Sequence, residues 1–516
     1  MNETIAGRAA PPMSMWLRGV LALAAGTGFS FGLAPFDWWP SLIGSILLLQ
    51  WLLHGVSVRQ GLAIFYAYGV GFYAVGISWV FVSIHEHGGA SVLLAGLLVL
   101  LFVLAMALFF LAQGYIYLKF LRQSIWGLTL GFSAIWVLRE WLLTWFLTGF
   151  PWLFAGYGFL DTWLAGYAPL LGVLGVSYMA LLQTSLLGCA LALLLSRREI
   201  SIPALVAVAL VPVIWLSGWL LEQTRFVEPQ GRSLTVSAVQ GNVDQHSKWT
   251  RAMVTPILRT YTGLTETEWG RDLIVWPEAA VTLFRSNAED FLAPLDARGR
   301  ASGTALILGI PDRDPQGYFL NSAIALGRGE GSYIKRRLVP FGEYVPLESQ
   351  LRGLIQLFDL PMSHNISGPQ NQTAMQVGDV RVSLSICYEV IYPNLVRETT
   401  ADPDIFVTIS NDTWFGASIG PWQHLQMARM RALENGRYLI RATNNGVTAV
   451  IDARGELVAQ LPQFVPGVLR AEVSLMTGST PFARYGQAGI LVLLLVSLIA
   501  ASAALTWRLA PAMRRS

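Results

Sequence analysis

Val382-Ser383-Leu384-Ser385-Ile386-Cys387-Tyr388-Glu389 reads as an apolar strand that ends on a thiol. It is a soluble-looking strand in a chain that otherwise has a membrane composition: 516 residues, 54% hydrophobic, 13% charged, mean hydropathy +0.50. An ordinary soluble protein carries about 25% charged residues. The deficit is uneven: residues 14–221 and 486–507 hold little charge, whereas 230–480 has the balance of a globular chain. A polytopic membrane part is therefore expected, with one soluble domain inserted before the last span. The expected division is a seven-helix membrane domain over 1–221, a soluble domain over 222–485, and a final span and tail over 486–516. The chain has two cysteines, so no disulfide framework holds it. Cys189 lies in a lipid-length apolar run and reads as a small buried hydrophobe. Nineteen Trp suit aromatic belts at a membrane interface. A net charge of +3 without a basic run gives no footprint for nucleic acid.

A helix needs about 20 apolar residues to cross the hydrocarbon core. Candidate spans are 17–34, 40–55, 61–83, 90–113, 124–146, 165–195, 201–221 and 486–507. The first reads as an anchor rather than a cleaved signal peptide, because further spans follow and no small-residue cleavage site stands out. Arg8, Arg18, Arg59, Lys119, Arg122, Arg197, Arg198, Arg508, Arg514 and Arg515 fall in alternate loops and tails. The other loops hold Asp37, His85-Glu86-His87, and Arg139 with Glu140 and Asp161. That bias puts both termini in the cytoplasm and the soluble domain on the outer face.

Within the soluble part, strand-like runs recur at Leu234–Val239, Leu273–Trp276, Ala305–Ile310, Ser322–Leu326, Val382–Ile386, Ile405–Ile409 and Gly446–Ile451. Helical stretches separate several of them: Thr255–Trp269, Glu289–Gly299 and Gln423–Tyr438. That alternation argues for a layered α/β fold. Asp452-Ala453-Arg454-Gly455-Glu456 reads as a hairpin turn.

Three charged or nucleophilic residues stand out. Glu278 comes after Leu273-Ile274-Val275-Trp276-Pro277, Lys335 precedes Arg336-Arg337, and Cys387 ends its own strand. Taken singly, each has a bland reading: a solvated carboxylate, a surface charge, a buried inert thiol. Together they form a set for acyl transfer. A thiol attacks as thiolate, a carboxylate can take its proton, and an ammonium can steady first the thiolate and then an oxyanion.

The joint pattern is specific. Trp276-Pro277-Glu278, Lys335 with Pro340-Phe341-Gly342-Glu343, Cys387-Tyr388-Glu389 and Asn411-Asp412-Thr413-Trp414-Phe415-Gly416 resemble the nitrilase (carbon–nitrogen hydrolase) superfamily. With the flanking spans, and with Leu338-Val339-Pro340-Phe341-Gly342-Glu343-Tyr344-Val345-Pro346, nearly the whole chain resembles the apolipoprotein N-acyltransferase family. The resemblance implies a polytopic α-helical membrane protein of about eight spans with an inserted α-β-β-α sandwich. It implies Glu278 as general base, Lys335 as thiolate and oxyanion stabiliser helped by the Tyr388 N–H, and Cys387 as nucleophile. Glu343 and Glu389 would support Lys335, Trp249 would lie near the lipid, and Tyr388 and Trp414 would line an acyl pocket. The implied reaction moves the sn-1 acyl chain of a phospholipid, usually phosphatidylethanolamine, through a Cys thioester. The acceptor is the α-amine of a diacylglyceryl cysteine at a lipoprotein N-terminus. The implied place is the inner membrane of a Gram-negative bacterium, with the catalytic domain periplasmic. No cofactor and no metal are implied.

Other features rank lower. Leu347, Leu351, Leu354, Ile355 and Phe358 form an apolar helical stripe in 346–366, suited either to dipping into the outer leaflet or to packing on the domain. Aromatic residues of Phe150–Trp163 suit a lipid entrance or an ordinary belt. His85-Glu86-His87 lacks the i, i+4 spacing of a zinc motif and reads as a polar outer loop. His424, on an expected helix, reads as structural. There is no Walker-type glycine loop, so ATP is not implied. Two other function classes compete. A membrane-anchored amidase would use the same triad but needs one anchor, not eight spans. A transporter or receptor calls for ionisable residues inside the spans, of which the sequence offers almost none.

Overall fold

The structure, a computed structural model, describes residues 13–197, 202–344 and 365–513. Leu347, Leu351, Leu354, Ile355 and Phe358 of the expected stripe lie outside the described residues. The chain divides into two compact units. One comprises Met1–Val80, Val92–Arg225 and Arg484–Ser516; the other comprises Phe81–Ser91 and Phe226–Ala483.

In the first unit a helix lies in each expected apolar window: Met15–Phe29, Pro40–Leu52, Val58–Gly76, Val92–Ile116, Phe132–Leu142, Ala168–Arg197, Ile202–Glu222 and Ala488–Met513. Among the described residues, Val92–Leu121, Trp163–Leu194 and Ile202–Glu222 are long and apolar enough to cross a membrane by themselves. Val58–Gly76 with Trp79–His87, bent by 54°, would make a fourth. Small residues set the helix contacts, as apolar surroundings favour. A Cβ on Gly71 would sit 2.0 Å from the Leu23 carbonyl oxygen, and one on Gly26 would sit 2.0 Å from that of Tyr68. Helices Met15–Phe29 and Val58–Gly76 therefore approach backbone to backbone.

Arg139 and Glu140 correct the sequence reading, which placed them with loop charges. They sit in the helix Phe132–Leu142, 4% and 0% exposed. Glu140 accepts from the Trp136 indole N–H at 3.1 Å and the Ala155 N–H at 2.9 Å. The Arg139 guanidinium lies 3.7 Å from the Phe110 ring centroid, a cation–π contact that partly replaces lost hydration. A window-average of hydropathy hides two such charges because the apolar residues around them outweigh them.

The second unit is an α-β-β-α sandwich. Its strands are β1 (Val227–Gln240), β2 (Leu273–Val275), β3 (Ala305–Arg313), β4 (Phe319–Gly327), β5 (Gly329–Glu330), β6 (Ser332–Ile334), β7 (Met375–Val377), β8 (Val380–Ile386), β9 (Ile405–Ser410), β10 (Leu439–Thr443), β11 (Ala449–Ile451), β12 (Leu457–Gln460) and β13 (Gly467–Gly478). One sheet has the order β13-β1-β2-β3-β4-β6; the other has β12-β11-β10-β9-β8-β7-β5. The pairs β1–β2, β2–β3, β8–β9 and β9–β10 are parallel. Strand periodicity sorts the side chains. Ala305 and Ile307 of β3 join Val236, Val275, Leu384, Ile386, Val407 and Ile409 in the core between the sheets. Leu306 and Leu308 face the other way and pack with Ile257, Tyr261, Leu292 and Leu295. Those four come from α1 (Val254–Thr265) and α2 (Glu289–Ser302). Covering both faces explains why the inner strands read as near-continuous apolar runs.

The short strands β5, β6 and β7 escaped the sequence reading, and so did the longer β10 and β13. β10 carries Arg441 in its middle, and β13 alternates Leu469, Ala471, Val473 and Leu475 with the charged Arg470 and Glu472. The expected helix Gln423–Tyr438 is α4 (Gly420–Asn435), following α3 (Pro393–Thr399). It stops early because Gly436 takes a left-handed φ of 63°. His85-Glu86-His87 is also corrected: it is not a free loop but a π-helical turn, Ser83–His87, within the sandwich unit. Ser83 donates to the Trp414 carbonyl at 2.7 Å, and the His87 ring stacks on His246 at 5.4 Å.

Ile307 fills the core between the two sheets. Ile307→Ala is expected to cost about 2–5 kcal/mol, read as a lower unfolding midpoint of the detergent-solubilised protein.

Candidate active site

The candidate residues converge at one end of the sandwich because each follows the C-terminal end of a strand. Pro277 lacks an N–H and ends the ladder of β2, which turns the chain off the sheet at Glu278. Lys335 follows β6 directly. Cys387 follows β8 with φ 52°, a left-handed conformation that a non-glycine residue adopts only under constraint. The chain then turns into the short helix Cys387–Ile391, so the thiol stands at a sharp strand-to-helix bend.

Lys335 is 1% exposed. Its ammonium donates to Glu343 Oε1 at 2.9 Å and to Glu278 Oε1 at 3.3 Å. Asn321 Nδ2 donates to the same two oxygens, at 2.7 Å to Glu278 and 2.9 Å to Glu343. The Asn411 N–H donates to Glu278 Oε2 at 2.8 Å, and the Val339 N–H to Glu343 Oε2 at 2.8 Å. Two carboxylates are thus bridged by one ammonium and one amide, and each carboxylate is pinned by a backbone N–H.

Charge states follow from this packing. Burial raises the Glu278 carboxyl, but Lys335, Asn321, the Asn411 N–H and Lys248 outweigh it and hold it below its ordinary 4.5. Burial lowers the Lys335 ammonium, but Glu278, Glu343 and Cys387 outweigh that and keep it protonated. Burial pushes the Cys387 thiol up, the Glu278 charge pushes it further, and Lys335 opposes both. The resting site therefore holds a thiol beside an ionised carboxylate and an ammonium: a proton to be taken and a base to take it.

Glu389 ties the lysine segment to the nucleophile bend. Its Oε1 accepts from the N–H groups of Arg336 (2.6 Å) and Arg337 (3.1 Å) and from the Tyr333 hydroxyl (3.0 Å). Its Oε2 accepts from the Ile386 N–H at 2.8 Å. Among the aromatic candidates, Tyr388 is buried with its ring 5.4 Å from Tyr392. Trp249 is 38% exposed. The Trp414 ring meets His87 edge-on at 5.8 Å, on the face of the segment Phe81–Ser91.

Two residues, Asn321 and Lys248, escaped the sequence reading. Asn321 is an ordinary strand residue until the fold sets it between two carboxylates. Lys248 is fully buried with Nζ 3.4 Å from the Glu278 carbonyl oxygen. Burial lowers its ammonium to about 8 against the opposing pull of Glu278. Its position before Trp249 carried no signal. His424, read as structural, lies on α4 with Nε2 3.2 Å from the Cys387 carbonyl oxygen.

A family profile described as carbon–nitrogen hydrolase matches residues 235–481. One described as the apolipoprotein N-acyltransferase N-terminal domain matches residues 25–186. The apolipoprotein N-acyltransferase of Pseudomonas syringae pv. tomato is 44% identical over 476 residues, 91% of this chain and 93% of that one. That of Azotobacter vinelandii is 46% identical over 490 residues, 93% and 94%. That of Vibrio cholerae serotype O1 is 38% identical over 501 residues, 94% and 95%.

Gly309 of β3 lies under Glu278. A Cβ there would come 2.6 Å from the Pro277 carbonyl oxygen and the Ala279 nitrogen, and 2.7 Å from the Glu278 Cα. Gly309→Ala is expected to displace Glu278 and cut the catalytic rate by roughly 10-fold or more, measured as initial velocity on soluble, folded protein. Glu389→Gln puts an amide N–H₂ where an oxygen accepts backbone N–H groups. It is expected to lower both the unfolding midpoint and the rate, whereas a surface Glu→Gln change leaves both alone.

Proposed function

The chain belongs to the apolipoprotein N-acyltransferase family, and from that premise we propose that Cys387 carries the acyl group between two lipid substrates. The enzyme is an acyltransferase; its route is the proposal. Glu278 takes the thiol proton of Cys387, and the sulfur attacks the carbonyl carbon of the sn-1 ester of a phospholipid. Negative charge moves to the carbonyl oxygen, where the Lys335 ammonium and the Tyr388 N–H hold it. The C–O bond breaks, Glu278 returns the proton to the leaving glycerol oxygen, and a lysophospholipid departs. In the second half the α-amine of a diacylglyceryl cysteine attacks the thioester and loses its proton to Glu278. The C–S bond breaks, and the thiolate recovers that proton. Two substrates using one nucleophile in turn give ping-pong kinetics.

The single observation that carries this reading is the Lys335 ammonium shared by Glu278 and Glu343 at the bend that presents Cys387. Glu343 and Glu389 act through Lys335 and the bend, and Trp249, Tyr388 and Trp414 are proposed to meet the lipid. Phosphatidylethanolamine is the proposed donor. About eight spans, cytoplasmic termini and a periplasmic sandwich in the inner membrane are proposed on the Lys and Arg distribution.

The test is incubation of membranes with phospholipid labelled in the sn-1 chain, without acceptor. Label is expected on Cys387 and released by hydroxylamine, absent in Cys387→Ala and reduced at least about 100-fold in Glu278→Gln. Label that never appears on the wild-type protein would refute the route. A carboxylate held below 4.5 is present as base above that value and is lost only as pH falls through it. Acylation is therefore expected to stay level from about pH 8 down to about pH 5 and to fall below that. A midpoint near neutrality would contradict the assignment.

A further inference from the structure

The Cys387 carbonyl oxygen lies 3.2 Å from His424 Nε2. A carbonyl only accepts, so Nε2 carries the hydrogen whatever the charge of the ring. On the far side of the imidazole, Nδ1 lies 3.1 Å from Arg441 Nη2 and 3.2 Å from Asp412 Oδ1. Arg441 donates to Asp412 Oδ2, and the Ser410 hydroxyl donates to Asp412 Oδ1 at 2.6 Å. His424, Asp412 and Arg441 are all buried, on α4, on the turn after β9 and on β10 respectively. The imidazole is therefore a fixed post, braced by an ion pair, whose free end holds one atom of the nucleophile's own backbone.

We propose that His424 is a positioning residue that aims the Tyr388 N–H at the oxyanion. The proposal rests on the reading above, in which that N–H is an oxyanion donor. The peptide joining Cys387 to Tyr388 is trans and planar, so its C=O and N–H point in opposite directions. Holding the oxygen on one side fixes where the hydrogen points on the other. Accepting a hydrogen bond also polarises the amide and strengthens its N–H as a donor. The strand end is held too, because the Ile386 N–H, in the Ser385–Ile386 peptide, donates to Glu389. The backbone is thus held before and after Cys387, which supports a φ of 52° that would otherwise relax. The Lys335 ammonium spends two of its three donors on Glu278 and Glu343, which leaves one for the oxyanion and makes the Tyr388 N–H the second donor beside it.

The test uses the full-length protein in detergent or nanodiscs. A phospholipid carrying a ¹³C-labelled sn-1 carbonyl is supplied without acceptor, so that the thioester on Cys387 accumulates. Its infrared carbonyl stretch reports hydrogen bonding to the very oxygen that becomes the oxyanion. In His424→Leu the stretch is expected to move up toward that of a free thioester. The acylation rate is expected to fall roughly 10- to 100-fold, with the phospholipid KM within about twofold of wild type. His424→Gln, whose amide keeps an acceptor for Arg441 and a donor for the Cys387 carbonyl, is expected to recover part of both. A His424→Leu protein with wild-type stretch and rate would overturn the proposal. So would a rate loss in both variants with the stretch unmoved, which marks a merely structural residue. Should His424→Leu not fold, the stretch in His424→Gln against wild type decides alone: no displacement overturns the proposal. A wild-type protein that forms no thioester at all would instead refute the catalytic reading on which this rests.

Discussion

An ammonium taken out of water must be matched by negative charge close by, and Lys335 is matched by two carboxylates that it shares with an asparagine amide. Everything else at the site follows from that arrangement. Desolvation alone would neutralise Lys335 and protonate Glu278. Mutual attraction inside the sandwich reverses both tendencies and leaves that pair ionised. The thiol of Cys387 then meets a carboxylate that can accept its proton and a cation that favours the resulting anion. Breaking such a group by removing one member leaves the others buried and uncompensated.

The sandwich is what makes this possible at the end of a chain so poor in charge. Two sheets bury their strands on both faces, and the ladders fix the positions of residues 278, 335, 387 and 411 without any of them being part of the core. Glu389 spans the two sheets' contributions, gripping the backbone after β6 with one oxygen and the end of β8 with the other. On the opposite side of the nucleophile, the Asp412–Arg441 pair and His424 brace the same bend. Cys387 is held from two directions, and neither depends on the side chain that reacts.

Much of this was legible in the sequence, and the gaps have physical causes. Glu278 and Cys387 could be read because each follows a run of strand residues, where an α/β sandwich presents chemistry, whereas Lys335 was legible through the Pro340-Phe341-Gly342-Glu343 motif after it and not through β6. β10 was hidden by Arg441, whose charge disguises a strand until Asp412 is seen to neutralise it. Asn321 and Lys248 act only through proximity to Glu278, which no local pattern encodes. Arg139 and Glu140 read as loop charges because apolar neighbours dominate any window around them, yet their helix buries both. That discovery also weakens one argument used against a transporter, the scarcity of ionisable residues in apolar segments; the match to acyltransferases along nearly the whole chain is what decides that question. The segment Phe81–Ser91 lies among apolar windows in the sequence but folds with the sandwich, a partition that only tertiary contacts reveal.

The central claim is that Glu278 and Lys335 work on Cys387 as one unit. The most direct measurement is a double-mutant cycle on the rate of Cys387 acylation, comparing Glu278→Gln, Lys335→Met and the two together. If the groups form one device, either single change removes most of the rate and the double is scarcely slower than the worse single. Losses that multiply, each change acting as though the other residue were untouched, would contradict the account.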